Sequence, residues 1–224
     1  GKTITGGWIY VGDNEQPTTA TLKIIGSGSF VLPTVSGVLT VHPGGTLDLS
    51  GWTGGTLTRV QIDDSSDASE DIRKKTSLIV GESEGTIEEL YILNWQLGAA
   101  DMANAINLGG GSYGKINMSG GSAQYLAVGS LLASGYAFKD TDGYVRYDRE
   151  ITKGTNYAGD IYNVTVVQCD HSGLTALPAD GKCPYCNVSG FVAMVETSNG
   201  TLTAFTDAQT AFDEAEDGET VTLL

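Results

Sequence analysis

Between Thr21 and Val128, apolar residues come in short runs that alternate with polar ones and are cut by glycine. Leu22-Lys23-Ile24-Ile25, Val38-Leu39-Thr40-Val41, Thr46-Leu47-Asp48-Leu49 and Leu57-Thr58-Arg59-Val60-Gln61-Ile62 open the series. Ser77-Leu78-Ile79-Val80, Leu90-Tyr91-Ile92-Leu93, Ala105-Ile106-Asn107-Leu108, Ile116-Asn117-Met118 and Tyr125-Leu126-Ala127-Val128 continue it. Alternation with period two is the signature of a strand with one buried face. Gly44-Gly45, Gly54-Gly55, Gly109-Gly110-Gly111 and Gly120-Gly121 fall between the runs. Lacking a Cβ, such residues turn tight corners at positive φ without steric cost.

The spacing of the runs adds a fold. Leu39, Leu57, Leu78, Ile106 and Leu126 sit in successive runs that recur at roughly 20 residues, with a wider step from Leu78 to Ile106. Such a recurrence, with two or three short strands per period, predicts a mainly β fold, a right-handed parallel β-helix or β-solenoid. A β-sandwich with ordinary hairpins is the alternative. Gly98–Asn104, inside the widest step, reads as a bulge or a helical turn. Gly-Thr-Leu occurs at 45–47, 55–57 and 200–202, and Gly-Thr-Ile at 85–87. A chain this rich in Gly and Thr produces such matches by chance. Ile87–Leu97 imitates one leucine-rich repeat, but it does not recur, and an array needs at least about three copies to bury a core.

After the series the pattern changes. Val128–Ser134 is apolar and reads as a cap over open strands. Residues 135–148 read as a hairpin, with Asp142-Gly143 in the turn between aromatic-rich runs. Ile161–Val167 is a further strand. Phe191–Val195 and Thr201–Phe205 pair around Ser198-Asn199-Gly200. Thr206-Asp207-Ala208-Gln209 matches a capping box, and Ala208, Ala211, Phe212 and Ala215 recur at helical spacing up to a stop at Gly218. Thr220–Leu224 closes as a strand. The division expected is a β-solenoid with exit hairpin over residues 1–150 and a small β module with a short helix over 151–224. The chain starts at Gly1 without Met and ends on a strand-like run, so it is expected to be a segment of a longer protein.

Composition narrows the classes. The 224 residues include 31 Gly, and 27 Asp+Glu against 12 Lys+Arg give a net charge of −15. Backbone binding to nucleic acid needs a basic face, which this balance argues against. No apolar run approaches the roughly 20 residues of a membrane span. Charged residues are only 17%, too few for a disordered polyelectrolyte.

The sharpest chemical signal is Cys169-Asp170-His171, eleven residues, then Cys183-Pro184-Tyr185-Cys186-Asn187. It holds all three Cys of the chain and one of its two His. Zinc takes four such ligands in a tetrahedron, so Cys169, His171, Cys183 and Cys186 are candidate metal ligands for a structural Zn²⁺. Asn187 suits the positive φ that ends such a knuckle. The pattern resembles half of a zinc ribbon, with a Cys-x-His arm in place of the first knuckle. Two other readings stay open. Cys-Pro-Tyr-Cys is also the active-site tetrapeptide of glutaredoxins, although Asn187-Val188-Ser189-Gly190 makes a poor helix start. A disulfide or free thiols form the third reading, and an odd count leaves one Cys over.

Other candidates have plainer explanations. His42 precedes Pro43-Gly44-Gly45 and reads as a turn residue. The acidic run 63–71 lacks the ordered ligand spacing of a calcium loop and reads as a solvated excursion. Asp140-Thr141-Asp142-Gly143 is explained by its hairpin. Strand acids in the first part are Asp48, Glu88 and Glu89, and Arg59 has Asp63 as its nearest acid in sequence. No catalytic residue is assigned. Trp8, Trp52, Trp95 and the Tyr side chains are candidate sugar platforms, with core packing the plainer role.

The Gly/Thr-rich solenoid pattern, the Gly135-Tyr136-Ala137-Phe138 hairpin, the cysteine cluster and the Phe205–Leu224 ending together resemble large cell-surface proteins of Gram-positive bacteria. These are adhesin-like proteins built from parallel β-helix segments and small accessory modules. The resemblance implies an extracellular, non-catalytic scaffold or adhesion domain whose partner is a glycan or a protein. A carbohydrate-active β-helix, a polysaccharide lyase or glycoside hydrolase fragment, is the second expectation.

Overall fold

The computed structural model describes residues 8–12, 19–27, 38–63, 68–93, 105–119, 126–151, 160–176 and 180–224. In chain order the first strands are β1 (Trp8–Val11), β2 (Ala20–Ser27), β3 (Val38–Val41), β4 (Gly45–Gly54), β5 (Thr56–Asp63), β6 (Ser77–Val80), β7 (Thr86–Leu93), β8 (Ile106–Leu108) and β9 (Ser112–Ser119). They alternate between two sheets. β1, β3, β5, β7 and β9 lie side by side in one, and β2, β4, β6 and β8 in the other, every pairing parallel. Each pass of the chain thus adds one strand to each sheet. The fold is mainly β with parallel sheets.

Buried side chains stack in register from pass to pass. Leu39, Val60, Leu90 and Ile116 form one ladder, and Leu57, Ile87 and Tyr113 another. Leu47, Leu78 and Ile106 form a third in the opposite sheet. All belong to one continuous core, in which Trp52 is fully buried. At roughly 25 cal/mol per Å² of apolar surface removed from water, these ladders are the main force holding the passes together.

The true period is longer and less even than the leucine spacing suggests. Leu39 pairs with Val60 rather than Leu57. Thr56 pairs with Thr86, and Thr86 with Ser112, so successive passes differ in length. Two of the Gly-Thr matches are therefore structural. Gly55-Thr56-Leu57 lies beside Gly85-Thr86-Ile87, and Gly111-Ser112-Tyr113 is the third copy. Backbone bonds from Thr86 N–H to Gly55 O and from Ser112 N–H to Gly85 O join the three corners. Beyond each corner the buried positions are three apart: Leu57 and Val60, Ile87 and Leu90, Tyr113 and Ile116. That spacing breaks the period of two at the same level of each strand. The leucine-rich-repeat resemblance dissolves here, since Thr86–Leu93 is a single strand of the stack.

The remaining elements close the stack. They are β10 (Leu126–Ala127), a 3-10 turn Val128–Leu131, β11 (Tyr136–Asp140), β12 (Gly143–Tyr144), β13 (Glu150–Ile151) and β14 (Ile161–Gln168). β14 runs antiparallel to β9, and β11 and β12 follow as an antiparallel hairpin at the sheet edge. The strand after residue 151 thus lies in the large sheet, between β9 and β11. Asn163 has φ 52, and on either side of it Ile161 and Val164 meet Ile116 and Tyr113, the same three-residue spacing as on β9.

β15 (Ala193–Glu196) and β16 (Leu202–Phe205) form the expected hairpin, and β17 (Thr220–Leu223) pairs on the other side of β15. The helix Ala208–Glu214 covers this sheet through Ala211. Its N-cap is Asp207, one residue after Thr206, and the Asp207 carboxylate accepts from Thr210 N–H. Phe212 points away from the packed face and is exposed. The 98–104 segment, Trp95, Gly120-Gly121 and residues 64–67 of the acidic run lie outside the described residues.

Candidate metal centre

Cys169 follows β14 directly, and its N–H donates to Gly135 O at the start of the hairpin. Cys183 and Cys186 come from a tight turn closed by two backbone bonds. Cys183 N–H donates to Val188 O, and Asn187 N–H donates to Cys183 O. Asn187 has φ 62, the left-handed conformation that an asparagine tolerates better than most residues. Pro184 O accepts from Tyr147 N–H, which docks the turn on the body. Tyr147 in turn packs flat against Gly129, where a Cβ would collide with its ring.

These arms bring the three sulfurs together. Cys169, Cys183 and Cys186 are buried, and their Sγ atoms all lie within 4.8 Å of one another. Cys169 Sγ and Cys183 Sγ are 3.8 Å apart. A disulfide needs about 2.0 Å, and all three are free thiols. Thiolates at about 2.3 Å from one zinc ion in a tetrahedron stand about 3.8 Å from each other, so the sulfur spacing fits a metal.

The backbone around the sulfurs is arranged for negative charge. The backbone N–H groups two positions on, of His171 for Cys169, Tyr185 for Cys183 and Val188 for Cys186, favour the thiolate at each sulfur. The Cys186 N–H does the same for Cys183. Hydrogen bonds from Cys169 and Cys186, with those two backbone donors, hold the Cys183 thiol well below its usual range. The bond with Cys183 pushes the Cys169 thiol the other way. Ala137, Tyr144, Tyr185, Val188 and Phe191 pack around the cluster, and Tyr144 stacks on Tyr185 at 5.2 Å. Burial raises the Tyr144 hydroxyl to about 12, so it stays a neutral donor and acceptor beside Asp170 N–H.

His171, the fourth residue of the motif, is half-buried with φ 55. Its ring meets Phe191 edge-on at 5.1 Å. It stands outside the group of ligand atoms that close within 4.8 Å.

A scan of protein-family models, a search of curated proteins and a search of solved structures found no match to this chain.

A second constellation emerges from register alone. Arg59, Glu89 and Lys115 are direct neighbours on β5, β7 and β9. Arg59 Nε lies 3.2 Å from Glu89 Oε2, and its guanidinium covers the Tyr91 ring at 4.3 Å. Asn117 Nδ2 donates to Glu89 Oε1. Lys115 Nζ pairs with the buried Asp160 at 3.0 Å, and Tyr162 OH donates to the same carboxylate. Arg59 thus pairs with Glu89, on the next strand of the sheet. His42 does sit at a turn, donating its N–H to Val11 O and stacking on Tyr10 at 5.3 Å. Trp52 is core, and no helix among the described residues is long and apolar enough to cross a membrane.

Proposed function

We propose that this chain is a non-catalytic scaffold or adhesion domain of an extracellular, cell-surface protein, with a glycan or a protein as its partner. In this reading the two parallel sheets are walls of a right-handed β-solenoid, and a zinc ion bound by Cys169, Cys183 and Cys186 fastens a zinc-ribbon-like module to its end. The sulfur spacing of 3.8 Å carries the metal part. Zinc suits it because three thiolates are a soft donor set and because a small module gains its folding energy from the ion. The scaffold part is supported by in-register stacking, which makes a rigid and extended face. The charges on that face are spent on each other, as Arg59 is on Glu89 and Lys115 on Asp160.

Two measurements test this. Protein purified without chelator holds about one zinc per chain, and less than a tenth of that defeats the metal. On immobilised neutral and acidic glycans and matrix proteins, the chain binds without altering them. A carbohydrate-active β-helix is the second reading, favoured by the carboxylates of Glu89 and Asp160 gathered near one lysine. New reducing ends or unsaturated products in the same incubation would establish that reading and overturn the first.

A further inference from the structure

We infer that His171 is the fourth metal ligand, through Nε2, and that it makes the ion a joint between the large sheet and the C-terminal sheet. The inference rests on the metal reading above. Three thiolates leave one corner of a zinc tetrahedron to fill, and a structural site closes it with a protein ligand. His171 Nε2 is buried and has no hydrogen-bond partner. Buried polar atoms almost always have one, and an ion is among the things that satisfy the exceptions. The backbone at His171 is unusual. A residue other than glycine at φ 55 is uncommon, and it turns the chain back within two residues of Cys169. One bond holds that turn, from Ser172 N–H to Asp170 Oδ1.

The ligands come from two sides. Cys169 is tied to the β11 hairpin through Gly135, and the Cys183 turn to Tyr147. His171 belongs to the other side: its carbonyl accepts from Ala204 N–H, and Leu174 exchanges both backbone bonds with Leu202 on β16. An ion held by both sets fixes how one sheet sits on the other.

The test uses the whole chain, stripped of metal and titrated with Co²⁺. The wild type binds one ion per chain with the ligand-field spectrum of three sulfurs and one nitrogen. His171→Ala alters that spectrum and weakens binding by at least the roughly 10–100-fold typical of losing even an outer partner of a ligand. Since the variant can lose its fold, the wild type is also followed by nitrogen NMR with labelled histidine. Zinc shifts the His171 Nε2 resonance and leaves the proton on Nδ1, while His42 serves as the internal control. Hydrogen exchange of β15 and β16 quickens when the metal is removed. A cobalt spectrum and affinity unchanged in His171→Ala, or His171 resonances unmoved by zinc, overturn the ligand assignment. Exchange in β15 and β16 that ignores the metal overturns the joint. A wild type that binds neither ion defeats the metal reading itself, a result distinct from these.

Discussion

Gly85 leaves no room for a side chain, because a methyl group there would collide with the buried indole of Trp52. Two consecutive passes of the chain lock at this contact. Gly85→Ala forces the indole off its position and is expected to cost about 1–3 kcal/mol, the usual penalty of overpacking a filled core. Thermal melts of the variant check this. Trp52→Phe in the Gly85→Ala background should regain part of the loss, since the smaller ring frees the space.

Asp160 is buried under Lys115, whose side chain is about a quarter exposed. Asp160→Ala removes the carboxylate that pairs with that lysine and frees β14 from its clamp on β9. Fully buried pairs lose about 3–5 kcal/mol on such a cut, and water reaching Lys115 should bring the cost nearer ~2 kcal/mol. Denaturant unfolding measures it, and Lys115→Met with Asp160→Leu should recover most of the loss.

Asp48 responds to acid. Hydrogen bonds from Ser50, first, and from Lys23 lower its carboxyl to about 2. A depressed folded value means stability that is whole above the ordinary carboxylate range and disappears as pH falls from about 4 toward 2. Lys23 is half exposed, so the effect is modest and shrinks with salt. Melts of the wild type and Asp48→Asn between pH 6 and pH 2 should therefore converge at the acid end.

Asn187 ends the cysteine turn with φ 62. Asn187→Gly is expected to fold and bind metal as the parent does. Asn187→Val places a β-branched residue in the left-handed region, at a cost of about 1–3 kcal/mol. Metal titration of both variants reads the difference directly.

Some of this was legible in the residues. Alternation marked most strands, Asp142-Gly143 marked the hairpin, and the Cys spacing marked the cluster, because each is a local constraint. The corner repeat was hidden for a physical reason. Its third copy replaces Thr with Ser and Ile with Tyr, and the stretch from Thr56 to Thr86 is longer than the one from Thr86 to Ser112. Loops on the outside of a stack are free to vary, while the core ladders are not. The same irregularity concealed Arg59, Glu89 and Lys115, which are neighbours only once the register is known. Phe212 misled because it has helical spacing but lies on the exposed flank of a helix that packs through alanine.

The antiparallel entry of β14 gives the molecule a polarity. Strands ahead of it join by one rule, so duplicating a pass anywhere between β3 and β9 would lengthen the protein and leave every neighbour intact. No duplicate can follow β14 on that rule, because the next strand would face a partner running the wrong way. Added passes would thus lengthen the parallel sheets and leave the antiparallel strands beside the cysteine cluster as they are.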